Sequence, residues 1–206
     1  VGSEMCIRDR RGHVDVRLQL LTELARSQWD LTEQDRARAT LDQALALAHD
    51  AGNPVPEAEL LTLRGHWRMR LIDFAGADAD FARAIALASP THPLVAGDTR
   101  ILAAQSLLVQ ERTTEGLLLI EHLVADYRNR LGNDHALVGR ALRVQANLQC
   151  AGGQLEACAT TIAHAERIVR QQYGEKHPEF AEILRVRSFL QVFGQLQVVG
   201  QPALAV

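Results

Sequence analysis

A small residue returns along this chain at intervals of about forty residues. The series is Ala25, Gly65, Ala104, Ala146 and Ser188, with spacings of 40, 39, 42 and 42 residues. One helical turn earlier, four of the five copies carry a bulky apolar residue, namely Leu21, Leu61, Leu142 and Leu184. Because a short repeat cannot bury its apolar face alone, neighbouring copies must stack, which restricts the chain to an array of similar elements.

A second apolar series at helical spacing follows each of the first four small residues. Its members are Ala37, Leu41, Ala44, Leu45; Ala77, Phe81, Ala84, Ile85; Gly116, Ile120, Leu123, Val124; and Cys158, Ile162, Ala165, Ile168. Each copy therefore predicts two amphipathic helices packed as a hairpin. The hairpins are expected at about 14–50, 56–89, 94–131 and 135–173, and a single helix at about 177–193 would follow without a partner. The predicted fold class is all-α.

Composition limits the classes of partner. The 206 residues are 47% hydrophobic but only 4% aromatic, which predicts a core of Leu, Ala, Val and Ile. A formal net charge of −3 argues against nucleic acid or an anionic membrane as a direct partner. The sequence has neither a run of about 18 apolar residues nor a secretory signal, so we predict a cytoplasmic protein.

The two ends differ from the rest. Residues 1–10, VGSEMCIRDR, resemble a translated sequencing-adaptor artefact seen at the ends of environmental protein fragments. We expect residues 1–13 to lie outside the array as a disordered segment, residues 14–196 to form it, and 197–206 to be a truncated tail.

The three cysteines do not form a disulfide framework. Cys6 lies in the atypical first segment, while Cys150 and Cys158 fall in helical pattern, where a thiol usually acts as a small buried hydrophobe. The packing role is favoured. A disulfide between Cys150 and Cys158 is the alternative, because they flank the turn at residues 151–153, and it would require an oxidising compartment.

The hairpin pattern resembles tetratricopeptide repeats over residues 14–193. The later copies are similar to the variety of about 42 residues found in kinesin light chains and many bacterial proteins, in which a Leu-Gly-x-x-His-Pro loop joins hairpins. The matching segments are 131–136, LGNDHA, and 173–178, YGEKHP. The resemblance implies a right-handed α-solenoid whose first helices line a concave, peptide-binding wall.

By that resemblance, positions next to the small residue, and three before it, point into the groove. The candidate peptide-binding residues are Arg26, Trp29, Thr62, His66, Arg70, Gln105, Arg140, Arg143, Asn147 and Arg185, with Thr22 at the equivalent position of the first copy. Five of these are arginine and none is acidic, although Asp30, Glu59, Asp98 and Glu182 lie near the rim. The set predicts a basic groove for a carboxylate-bearing peptide. The alternative is that the arginines form ordinary surface ion pairs.

No catalytic, cofactor or metal motif is present, and we predict no enzyme activity. His92, His135 and His177 occupy equivalent turns of different repeats, too far apart to share one ion, so a turn or helix-start hydrogen bond is expected.

Two functions remain open: a scaffold that binds a protein or peptide, or the regulatory extension of a larger bacterial signalling protein, a Ser/Thr kinase or transcription regulator. Self-association is a further expectation, through apolar surface on the last helix at Phe180, Ile183, Leu184, Val186, Phe189, Leu190, Val192 and Phe193.

Overall fold

The computed structural model describes the backbone of residues 2–89 and 92–199, and side chains within 13–89 and 92–192. All regular structure in these ranges is helical, which confirms the all-α prediction. The helices are α1 (Gly2–Asp30), α2 (Gln34–Asp50), α3 (Pro54–Arg70), α4 (Phe74–Ala88), α5 (Pro93–Val109), α6 (Thr113–Leu131), α7 (Ala136–Ala151), α8 (Leu155–Tyr173) and α9 (Pro178–Val199).

Three pairs of helices pack together at positions where the sequence predicts hairpins. α1 packs on α2, α3 on α4 and α7 on α8. The chain divides into two compact units, Val1–Leu102 and Ala103–Val206, and the boundary lies within α5. In the first unit the core is built from leucine, alanine and Trp67, while Ile, Val and Leu side chains fill the core of the second.

The turn inside each hairpin repeats with the register of the small residues. A residue with positive φ lies seven positions after each of the first four small residues, at Thr32, Ile72, Glu111 and Gly153. The next residue donates its N–H back across the turn to a carbonyl five positions earlier, at 2.8–2.9 Å in all four copies. This Schellman arrangement satisfies helix-end carbonyls and closes every first helix in the same way. The third copy, despite Arg100, therefore keeps the common register.

Small residues allow close approach of neighbouring helices. A Cβ placed on Gly65 of α3 would lie 2.7 Å from Phe81 Cε1 of α4, closer than carbon atoms can pack. Ala25, Ala104 and Ala146 at the equivalent positions are fully buried. Ser188, the fifth member of the series, is exposed on α9, which has no following helix within the described residues.

Polar groups at the loops begin several helices. Asp73 accepts a hydrogen bond from the N–H of Gly76 at the start of α4. His135 Nδ1 accepts from the N–H of Leu137, and His177 Nδ1 accepts from the N–H of Glu179. These two histidines therefore have the helix-start role expected from the sequence.

Each unit also buries a carboxylate between arginines. In the first unit Asp80, 4% exposed, accepts from Arg64 Nη2 and Arg68 Nη1, both at 2.8 Å. Hydrogen bonding to Asp80 raises the pKa of Arg64, against the opposing effect of burial. In the second unit Glu166 accepts from Arg170 of its own helix and from Arg187 of α9. The ion pairs of Asp80 link α3 to α4, and the pair between Arg187 and Glu166 links α9 to α8.

The sequence analysis favoured a packing role for Cys150 and Cys158 as buried thiols, and this prediction was wrong. Cys150 and Cys158 form a disulfide, with Cα atoms 5.3 Å apart. The thiols are buried, as expected, but they are joined across the turn between α7 and α8, because the hairpin brings the end of one helix beside the start of the next. Cys6 lies outside the residues whose side chains are described.

The first predicted segment and the tail fall largely outside the described side chains. α1 begins at Gly2, whereas the side chains of residues 1–12 are outside the description, as are those of 193–206. Among the residues that are described, no helix combines the length and apolar character needed to cross a membrane.

Candidate functional site

A groove with a volume of about 980 Å³ lies in the first unit. Three first helices of successive hairpins, α1, α3 and the start of α5, supply its walls. Its lining residues are Asp15, Leu18, Gln19, Thr22, Glu23, Arg26, Asn53, Val55, Pro56, Glu59, Leu60, Thr62, Leu63, His66, His92, Val95, Asp98, Thr99 and Leu102. Within this unit, the hairpins therefore turn their first helices towards a common cavity.

The groove has an apolar floor and a polar rim. Leu18 and Leu60 are almost fully buried, and Leu63, Val55 and Val95 are half-buried. Exposed carboxylates stand above them, at Asp15, Glu23, Glu59 and Asp98. An apolar surface bordered by polar groups is typical of sites that bind a peptide or a small molecule.

Four of the residues predicted to face a groove lie in it. Thr22 and Arg26 extend from α1, and Thr62 and His66 from α3. Their spacing of four residues places each pair on one helix face, which is why a repeat register could predict them. Trp29 and Arg70, also predicted for this wall, are not among the lining residues.

Trp29 instead forms an aromatic stack. Its ring lies 4.5 Å from that of Trp67 with an interplanar angle of 4°, and it packs against the core of the first unit. The guanidinium carbon of Arg70 lies 5.9 Å from the centre of the Trp29 ring, within the range of a cation–π contact. Trp29 therefore packs within the first unit and does not line its groove.

The threonines of the groove have their hydroxyls occupied by their own helices. Thr22 Oγ1 donates to the carbonyl of Leu18 at 2.8 Å, and Thr62 Oγ1 lies 2.7 Å from the carbonyl of Ala58. Thr62 Oγ1 is also 2.7 Å from the hydroxyl of Thr99, which joins α3 to α5. Because these side chains are short and internally bonded, they leave the space above the floor open.

His66 contributes no fixed positive charge. Burial, followed by the nearby charge of Arg70, lowers the pKa of the His66 imidazole from its usual value near 6.5. The ring is therefore neutral at pH 7. Among the described residues that line the groove, Arg26 is then the only permanent cation, and its Nε lies 3.8 Å from Glu23.

Two of the four carboxylates were not identified from the sequence. Glu59 and Asp98 were placed near the rim, but Asp15 and Glu23 were missed. Asp15 lies seven residues before Thr22, two turns earlier on the same face of α1, and this spacing was the available signal. The repeat register did not predict Asp15, because the positions assigned to the groove lie within six residues of each small residue and Asp15 lies further away.

In the second unit the equivalent arginines are part of an ion cluster. Arg143 of α7 is 5% exposed, and its Nε donates to Glu179 Oε1 at the start of α9. Arg140 Nε lies 3.9 Å from the other oxygen of the same carboxylate. The guanidinium of Arg143 is thus ion-paired with α9, but the pair is buried and not the surface pair of the alternative.

The remaining candidates in the second unit are more accessible. Gln105 and Asn147 are half-buried. Arg185 is exposed and bonds Glu182 of its own helix at 2.8 Å. Because Arg143 is bonded to Glu179 and Arg185 to Glu182, these candidates do not form an accessible pair of arginines for a carboxylate ligand.

Three of the apolar residues expected to be uncovered on the last helix are buried. Phe180, Ile183 and Val186 are at most 5% exposed and belong to the core of the second unit. Leu184, Phe189 and Val192 remain between 39% and 54% exposed, Leu190 is half-buried, and the Phe193 side chain is outside the description. Helix α8 packs against α9 on the side that carries Phe180, Ile183 and Val186, so the exposed apolar surface of α9 is smaller than predicted.

A search of the described side chains finds no group of three or more His, Cys, Asp or Glu residues that could hold a metal ion. Compared with known proteins, the chain matches no protein-family model and no curated protein sequence.

Proposed function

We propose that this chain is a helical-repeat scaffold that binds an extended segment of another polypeptide. The observation that supports the proposal is the groove of the first unit, formed by the first helices of successive hairpins. A cavity with an apolar floor suits a peptide, whose alternate side chains can enter it while its backbone meets polar groups such as Gln19 and Asn53.

The tetratricopeptide resemblance and a right-handed solenoid belong to this proposal. The recurring turns at Thr32, Ile72, Glu111 and Gly153 support a single repeating unit with the spacing noted in the sequence. A cytoplasmic location is also part of it, although the Cys150–Cys158 disulfide favours an oxidising environment. Fractionation of cells that express the tagged chain tests that location.

A peptide array probed with the labelled chain tests the binding function. In the variant Thr22→Trp a large ring enters the groove from α1, and we expect array signals to fall, since Thr22 lines the cavity. The matched control is Leu20→Trp, on the same helix but outside the groove and already 67% exposed. Array signals that are absent, or equal for Thr22→Trp and the parent chain, would remove the proposal.

Arg143 is unsuitable as the test position. It is buried and bonded to Glu179, so the reversal Arg143→Glu would place two carboxylates together and destabilise the second unit. A loss of binding in that variant could not be separated from a loss of structure.

A further inference from the structure

The charges of the groove oppose an acidic ligand. Among its lining residues are four carboxylates and one guanidinium, and that guanidinium lies beside Glu23. Like charges across an interface suppress binding, whereas a concave surface of one sign raises the local concentration of oppositely charged partners. The negative electrostatic potential of these carboxylates would therefore repel an acidic peptide.

The five candidate arginines that suggested an acidic partner already have neighbours of their own. Arg26 lies near Glu23, Arg140 and Arg143 face Glu179, Arg185 bonds Glu182, and Arg70 lies over Trp29. Four of these arginines therefore lie within ion-pair distance of carboxylates of this chain, whereas Asp15 and Glu59 of the groove form no ion pair with a described side chain.

Asp15 and Glu59 are the clearest sites for a cation from outside. Both line the groove, both are exposed, and neither forms an ion pair with a described side chain. They extend from α1 and α3, and they line the same cavity as the buried Leu18 and Leu60. A lysine or arginine can lay its apolar stem on such a floor and place its charged end beside a carboxylate.

We propose that the groove of the first unit binds a cationic segment in which lysine or arginine alternates with apolar residues. This inference rests on the proposed function and identifies the chemical class of its partner. In an extended chain successive side chains point to opposite sides, so one set can occupy the Leu18 and Leu60 floor while the other meets Asp15 and Glu59.

The test uses two labelled peptides, one alternating lysine with valine and the other alternating glutamate with valine. Fluorescence anisotropy with the full chain should show binding of the lysine peptide, weakened by added salt because the carboxylates are exposed. Glu59→Lys should weaken this binding by about tenfold, and Asp15→Lys should act in the same direction.

The matched control is Asp35→Lys, which makes the same change of charge on α2, at an exposed position outside the groove lining. It should change affinity by less than about twofold because charges more than a Debye length away are screened. Circular dichroism of each variant checks that the helices are retained.

The outcomes separate the two proposals. Stronger binding of the glutamate peptide, or equal effects of Glu59→Lys and Asp35→Lys, overturns the cationic partner. If neither peptide binds while array ligands sensitive to Thr22→Trp exist, the binding function stands and the cationic inference fails. If such array ligands are absent as well, both proposals fall.

Discussion

The two units place different residues at one repeat position and obtain different surfaces. Three residues before the small residue, the first unit has Thr22 and Thr62, whereas the second unit has Arg143. The threonines bond the backbone of their own helices and leave a groove open. The arginine reaches a neighbouring helix, bonds Glu179 and becomes buried.

The comparison shows that a side chain's length can decide whether an inward position serves binding or packing. A short hydroxyl can bond a carbonyl within one turn of its own helix and still leave the space above it open. A buried guanidinium needs an anion beside it, which for Arg143 is Glu179 at the start of α9. The exposed Arg185 instead bonds Glu182 of its own helix. An arginine at a repeat position expected to face the groove can therefore serve either binding or packing, and the residues of the neighbouring helix decide which.

The largest expected effect comes from giving the second unit the residue of the first. Arg143→Thr leaves the half-buried carboxylate of Glu179 with Arg140 Nε at 3.9 Å, and we expect the free energy of unfolding of the second unit to fall by about 3 kcal/mol. Hydrogen exchange followed by mass spectrometry measures this unit separately. Adding Glu179→Gln should recover part of the loss, and no change on Arg143→Thr would show that the pair does not stabilise α7 against α9.

The disulfide provides the next test, since no disulfide is seen in the described part of the first unit. Reduction of Cys150–Cys158, which closes a sequence separation of 8 residues, should lower the stability of the second unit by about 2 to 3 kcal/mol. Hydrogen exchange with and without a reducing agent measures the change. The double variant Cys150→Ser, Cys158→Ser should not respond to the reducing agent, and an equal loss of protection in the first unit would contradict the assignment.

Turn residues give a smaller contrast of opposite sign. Ile72 has φ 65° and is 75% exposed, whereas Gly153 occupies the equivalent turn of the second unit with φ 77°. Ile72→Gly should raise the stability of the first unit by about 1 kcal/mol by removing the strain of a β-branched residue there. Gly153→Ala should lower that of the second by a similar amount. Urea denaturation monitored by circular dichroism measures both, and a destabilised Ile72→Gly would mean that strain at this turn is not the dominant effect.

The smallest effect concerns pH. Burial lowers the pKa of His66, so the unfolded chain binds a proton more readily than the folded one does. The stability due to neutral His66 is fully present above pH 6.5 and decreases as the pH falls below it. His66→Gln should flatten this part of the stability profile of the first unit, as followed by hydrogen exchange. A profile unchanged by the substitution would show that His66 is not responsible; His164→Gln in the second unit is the control.

The sequence was sufficient to predict the helices and their turns. Periodicity of small and bulky residues depends on local geometry, so the positions of the helices followed from it, and the family resemblance added Thr22, Arg26, Thr62 and His66 as wall residues. Charge compensation did not follow, because Arg143 meets Glu179 across 36 residues of sequence. The acidity of the groove was underestimated for the same reason: Asp15 and Glu59 line one cavity only because α1 and α3 both supply its walls.

The stacked indoles of Trp29 and Trp67 have a practical consequence. They are both of the tryptophans in the chain, and both belong to the first unit. Two nearly parallel rings at 4.5 Å couple their electronic transitions, so native packing carries an exciton signal that vanishes when the rings separate. Circular dichroism of this exciton signal can therefore follow the melting of one half of an unlabelled molecule, because the other half contains Tyr127 and Tyr173 but no tryptophan.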